Sequence, residues 1–247
     1  MWAMNGFSIF DSIHIMWLIF IAVFLAISLY FYHYSSNEKQ HLFQKSVFWL
    51  LLFLEVAKQL YLLVTNQYSY WSPPLHLCGF GIFIIGWHAY FPTRTTATLL
   101  YTLTLPGAAI ALLFPGWTID PVGGFLHFHS FIFHALLVVV VAALIFEKQL
   151  VTAFTDIWRS VLFLLVTVPP VYIYNAHFHT NFMFLNRPVK GTPLQWLYDA
   201  FGATGYLANL AGVIVSIWIV LYVLLAIQKT TTHYRINVPS FYYVFFH

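Results

Sequence analysis

The 247-residue chain is 61% hydrophobic and 21% aromatic with only 7% charged residues, too little polar surface to cover a soluble globule and enough apolar length to cross a bilayer several times. Ten Lys and Arg against seven acids leave a net charge of +3, spread too thinly for a nucleic-acid surface. The single cysteine, Cys78, excludes an intramolecular disulfide framework and a cysteine-rich metal site.

In chain order, MWAMNGFSIFDS carries no basic stretch ahead of its apolar run, so the first span is expected to stay in the mature protein. Spans are expected at 12–34, 46–65, 75–91, 97–114, 126–146, 157–175 and 206–227, each near the ~20 residues that a ~30 Å hydrocarbon core requires. The third and fourth are short, and Pro169-Pro170 interrupts the sixth. Without repeats or low-complexity tracts, residues 1–247 read as one all-α domain, a polytopic bundle of seven transmembrane helices. Lys39, Lys45, Arg94, Lys148, Arg159, Lys229 and Arg235 fall on one side of these spans, and only Arg187 and Lys190 on the other. The positive-inside bias then puts the N-terminus outside and the C-terminus in the cytoplasm.

That orientation gathers His14, His76, His127, His129, His134, His177 and His179, seven of the twelve histidines, in the outer half of the bundle. Cys78 lies just inside a helix that Pro73-Pro74 are suited to start. A buried cysteine is often only a small hydrophobe, but at a helix N-terminus the positive end of the dipole adds to a thiol's nucleophilicity. Gly79 and Gly81 are expected to leave first-turn amides open to a substrate carbonyl. His76 is two residues from Cys78, about 200° around a helix, which favours a base from another helix.

FLHFHSFIFHALL supplies it: His127 and His134 share a stripe with Ser130 and Phe131, while His129 points roughly opposite. His134 matches the depth of Cys78 only if the fifth helix starts farther out than the third; otherwise His127 is the candidate. Glu55 and Lys58, at i, i+3 inside the second span, can pair on one face. Such intramembrane charges usually face a bundle interior, here as a structural pair or as a support that orients a histidine. The loop NAHFHTNFMFLNRPVKGTP adds Asn181 and two cations that can be hydrated or meet lipid phosphates.

Taken in order, PPLHLC before the third run, FLHFHSFIFHALLVV opening the fifth and N-x-x-x-x-x-NFMFLNRP after the sixth resemble the YwaF-type bacterial integral membrane proteins, over roughly residues 10–227. That family is related to the animal transmembrane acyltransferase of ether lysophospholipids, and distantly similar to seven-helix lipid hydrolases with a threonine nucleophile and a histidine. The resemblance implies a functional pair at Cys78 and His134 and carries the family's loop asparagine onto Asn181. Phe182 stands where tyrosine is common, and Ala135 follows His134 where the family often has glycine.

The expected function is therefore a multi-pass acyltransferase of the cell membrane. Cys78 would act as nucleophile, His134 as base, and His76, His127, Ser130, Asn181, Glu55 and Lys58 as substrate-binding or supporting groups. Its substrates would be phospholipid and lysolipid, with no cofactor, metal or nucleic acid. One alternative is a zinc-dependent lipid hydrolase built on His127, His129, His177 and His179. A second is a transporter or sensor gated by Glu55 and Lys58.

Overall fold

A computed structural model describes residues 6–236, with side chains to residue 227, so the side chains of Lys229 and Arg235 lie outside the described part. Among the described residues there is no strand. The helices are α1 (Ser12–His33), α2 (Asn37–Val64), α3 (Leu77–Tyr90), α4 (Arg94–Leu113), α5 (Phe125–Phe146), α6 (Trp158–Phe178) and α7 (Pro193–Ile236). Six of them are long and apolar enough to cross a membrane, whereas α3 has 14 residues, about 21 Å of helix. The chain reaches α3 through the non-helical prolines Pro73 and Pro74, with His76 as its extended N-cap.

Two boundaries differ from the sequence reading. The α2 helix starts at Asn37 rather than 46 because the polar stretch before the apolar run is amphipathic. Gln40 and Gln44 are buried, donating to the Tyr32 carbonyl (2.9 Å) and hydroxyl (2.8 Å), and Gln149 closes the network onto Gln40 at 2.6 Å. The α7 helix starts at Pro193 rather than 206, broken at Gly202, whose φ of 68° suits a residue without a Cβ. The first compact unit runs to Leu207; from Ala208 a second unit, within the described residues, is the continuation of α7.

In the first unit α3, α4 and α5 are the most buried helices, while most of α1 and α6 stays exposed and shows apolar side chains such as Ile19, Phe20, Leu165 and Val166 on the outside. Cross-links define the two ends of this unit. At one end Arg94 pairs with Asp156 (3.0 Å), Arg159 donates to Thr95 (2.6 Å) and Tyr32 to Gln149 (2.7 Å). At the other, the amide of Phe7 donates to Thr118, His14 Nε2 to Leu112 and Gln59 to Ser72, at 2.8–2.9 Å.

The α4 helix is not regular. Residues Leu100–Thr104 form a π turn in which the Leu105 amide bonds the Leu100 carbonyl. Pro106, with no N–H to give the Thr102 carbonyl, follows directly. Thr98 just before this turn and Thr102 within it meet Thr152 and Ser160 at 3.0 and 2.6 Å, tying α4 to the start of α6 and the segment ahead of it.

Candidate functional site

Cys78 is the second residue of α3 and is 9% exposed. Its sulfur faces α4, where a Cβ added at Gly107 would stand 4.0 Å from Sγ. One turn deeper, a Cβ at Gly81 would meet Thr104 at 3.1 Å and Leu137 at 3.4 Å. These contacts fix two registers. The α3 and α4 helices run antiparallel, with 78 opposite 107 and 81 opposite 104. The α3 and α5 helices both start at the same end, so stepping back three residues from Gly81 and Leu137 brings Cys78 and His134 to one level. The sequence left His127 and His134 open; α5 starts nine residues before His134, and the level of the thiol belongs to His134.

His134 is oriented from two sides. Its Nδ1 donates to the Ser130 carbonyl at 2.7 Å, so in the neutral ring the lone pair is on Nε2, which has no hydrogen-bond partner among the described residues. The indole of Trp117 stacks on the ring, centroids 4.8 Å apart and planes 17° off parallel. Ser130 thus contributes its carbonyl.

His76 has the opposite polarity. As N-cap of α3, its Nδ1 accepts the Met183 amide at 3.3 Å, which puts the proton of the neutral ring on Nε2. Phe182 and Phe184 pack on the ring at 5.0 and 5.2 Å. The loop that delivers Met183 is strained: Met183 and Phe184 have φ of 55° and 54°, left-handed values costly for side chains of their size. Asparagines hold it there. Asn175, 1% exposed, brackets Phe182, donating to its carbonyl (3.0 Å) and accepting its amide (2.8 Å) and the Thr180 hydroxyl (2.8 Å). Asn181 accepts from the amides of Asn186 and Arg187 (3.0 and 3.2 Å) and donates to the Arg187 carbonyl (2.8 Å). The buried Tyr206 hydroxyl holds Phe184 from the other side, 2.8 Å from its carbonyl. Asn181 is therefore a loop clamp; Asn175 and Tyr206 share that work and are the residues the sequence reading did not single out for it.

The charged pair forms as expected: Lys58 Nζ lies 2.9 Å from the Glu55 carboxylate, and Gln59 bridges that carboxylate to the Ser72 carbonyl. Lys58 lies within electrostatic reach of His76, His129 and His134, so α2 presents its pair to the same cluster.

Three expectations are corrected. Gly79 and Gly81 do not expose open amides: the Gly79 N–H bonds the His76 carbonyl at 2.9 Å and the site of its missing Cβ is filled by the Pro74 carbonyl. Gly81 is packed against Thr104 and Leu137. The first-turn amides without an acceptor are those of Leu77 and Cys78. His127 does not support the thiol; it accepts the Trp17 indole N–H at 2.9 Å and packs on Phe7 and Phe131 at 5.2 Å each, pinning α1 to α5. The four histidines of the zinc alternative are not brought together either. His129 lies against the Leu54 backbone, on the other side of α5 from His127, and among the described residues no three His, Cys, Asp or Glu converge with a ligand arrangement.

These features describe a polytopic helical membrane protein with an enclosed thiol and a histidine cluster near one end of its first unit. The chain belongs to the TMEM164 family, a transmembrane protein family whose model matches residues 9–234. No curated protein and no solved structure matches it.

Proposed function

We propose that this chain is a membrane acyltransferase that moves a fatty acyl group from a phospholipid to a lysolipid-type acceptor through a thioester on Cys78. The observation that carries the reading is the shared level of Cys78 and His134, with the free lone pair of His134 and the N–H of His76 set by their backbone partners. The YwaF-type resemblance supports it, since it implies the same pair and a kinship with an ether-lipid acyltransferase. Sγ attacks the ester carbonyl carbon while its proton passes to His134 Nε2, and the carbonyl π electrons move onto oxygen. The leaving lysolipid alkoxide takes the proton as the C–O bond breaks. In the second half an acceptor hydroxyl gives its proton to His134 and attacks the thioester, and Cys78 leaves with the proton back on sulfur. One ester replaces another, so no cofactor is consumed. His76 Nε2–H and the Leu77 and Cys78 amides are the groups at hand for the oxyanion. The positive-residue bias supports an outer-half location for this end of the bundle.

The transporter reading is less favoured: Glu55 and Lys58 sit on one helix and are tied by Gln59 to Ser72, which suits orientation better than a gate between helices. The test is incubation of the purified protein with phosphatidylcholine carrying isotope-labelled acyl chains, then mass analysis of the Cys78 peptide with and without hydroxylamine, which cleaves thioesters. A labelled, hydroxylamine-sensitive adduct that Cys78→Ser and His134→Ala abolish is expected. Full acyl exchange by Cys78→Ser would end the proposal.

A further inference from the structure

Buried side-chain atoms normally find partners, and the exceptions here are not scattered. Among the described residues the five unpartnered ones are Gln59 Oε1, Thr104 Oγ1, Trp117 Nε1, His127 Nδ1 and His129 Nε2, all in the half of the first unit that holds Cys78. At the opposite end Gln40, Gln44, Thr96 and Thr98 are buried and bonded. Of the five, Thr104 is nearest the thiol by register and is 1% exposed.

A helical threonine usually returns its hydroxyl to the carbonyl four residues back, as Thr98 does to Arg94 (2.7 Å) and Thr102 to Thr98 (2.8 Å). For Thr104 that carbonyl belongs to Leu100, which accepts the Leu105 amide in the π turn, and the hydroxyl does not return to it. The Thr104 side chain faces α3, where Gly81 has no side chain: its Cγ2 and Oγ1 are 3.1 and 3.6 Å from the place a Cβ would take. One turn outward on the same seam Gly107 leaves the corresponding gap beside Sγ. Two glycines thus bring α3 and α4 together along one seam that carries the thiol and, one turn deeper, a buried donor.

We propose that Thr104 is a further catalytic residue of this site, its hydroxyl donating a hydrogen bond to the acyl carbonyl oxygen held on Cys78. The role rests on the acyltransferase reading above. As Sγ bonds the carbonyl carbon and the π electrons move to oxygen, the Thr104 O–H stays intact and its hydrogen bond strengthens with the charge. When the tetrahedral species collapses to the thioester, the carbonyl re-forms and the bond weakens. In the resting protein the hydroxyl has no partner, so removing it costs no interaction.

The test pairs kinetics with a stability readout. Full-length protein in nanodiscs is mixed with phosphatidylcholine bearing isotope-labelled acyl chains, and the rate of thioester formation on Cys78 is followed by mass. Thr104→Val keeps the shape and loses the donor; it is expected to form the adduct about 10²-fold more slowly, the usual effect of removing one oxyanion donor. Thr104→Ser should stay within a few-fold of the parent. Without lipid substrate Thr104→Val should melt at or above the parent temperature, while Thr102→Val, which loses a bonded hydroxyl, should melt below it. An adduct formed by Thr104→Val at the parent rate overturns the role of Thr104 alone, and so does a lowered melting temperature, which would make the hydroxyl structural. No adduct on the parent protein overturns the acyl-enzyme reading, and this role with it.

Discussion

Replacing Asn175 by Ala should release the loop that holds His76 while leaving the helices in place. The substitution deletes three hydrogen bonds and leaves the amide and carbonyl of Phe182 unpaired in a buried setting, at about 1–3 kcal/mol each. The left-handed backbone at Met183 and Phe184 stores further strain that favours opening once the clamp is gone. Taking about 3 kcal/mol as the loss in local opening free energy, amides in 180–187 should exchange with deuterium roughly 10²-fold faster, since about 1.4 kcal/mol is a factor of ten. The check is hydrogen exchange by mass spectrometry on protein in nanodiscs, with peptides from α5 expected to keep their protection. Asn186→Ala, which removes one bond from an exposed residue to the Thr180 carbonyl, should change exchange in the same peptides less than tenfold. Equal exchange in Asn175→Ala and the parent would refute the clamp, and with it the argument that the Met183 amide fixes the tautomer of His76.

Removing one partner of the Glu55–Lys58 pair should destabilise the protein by about 3–5 kcal/mol, and Glu55→Gln with Lys58→Met together by less than either alone; a Lys58→Met protein as heat-stable as the parent would show that the pair is not coupled. Burial pushes the Asp120 carboxyl above its ordinary value of 3.8. A raised folded-state value favours the folded protein at low pH and loses that advantage as pH rises through it. Asp120→Asn, which mimics the protonated form, should therefore raise the melting temperature at pH 7 and make no difference below about 3.8; a gain that persists at low pH would point to another cause. In a Cys78→Ser background, a cysteine at position 120 should react with an impermeant thiol reagent on intact cells and one at position 39 only after permeabilisation, and the reverse pattern would invert the orientation.

Hydropathy located all seven helices, six of them long enough to span, because a long apolar run needs no partner to declare itself. It misplaced the starts of α2 and α7, where Gln40, Gln44 and the PLQWLYDAFG stretch are polar enough to read as loop. Gln40 and Gln44 become interior only through Tyr32 and Gln149, more than a hundred residues from the latter, and no local window contains that pairing. The level shared by Cys78 and His134 was half legible, since depth could be counted along each helix but not where each helix began. The glycines misled because a bare backbone in the sequence looks the same whether substrate, a carbonyl or a neighbouring side chain fills the space. Asn175 opens the N-x-x-x-x-x-N pattern, but its role as the clamp on Phe182 carried no signal until the loop folded back on it.

The π turn in α4 makes that helix a phase adapter between two interfaces. Each residue turns a helix by about 100°, so the one residue accommodated in Leu100–Thr104 sets how the threonines facing Thr152 and Ser160 are angled relative to the Gly107 face that meets the thiol. Straightening that turn into α-helix at unchanged length would rotate Gly107 away from Cys78 by over a quarter turn, whereas deleting a single residue there would restore an unbroken α-helix with the two faces still in phase. A deletion scan along α4 should therefore accept the loss of one residue within 100–104 more readily than the loss of one from the regular turns on either side.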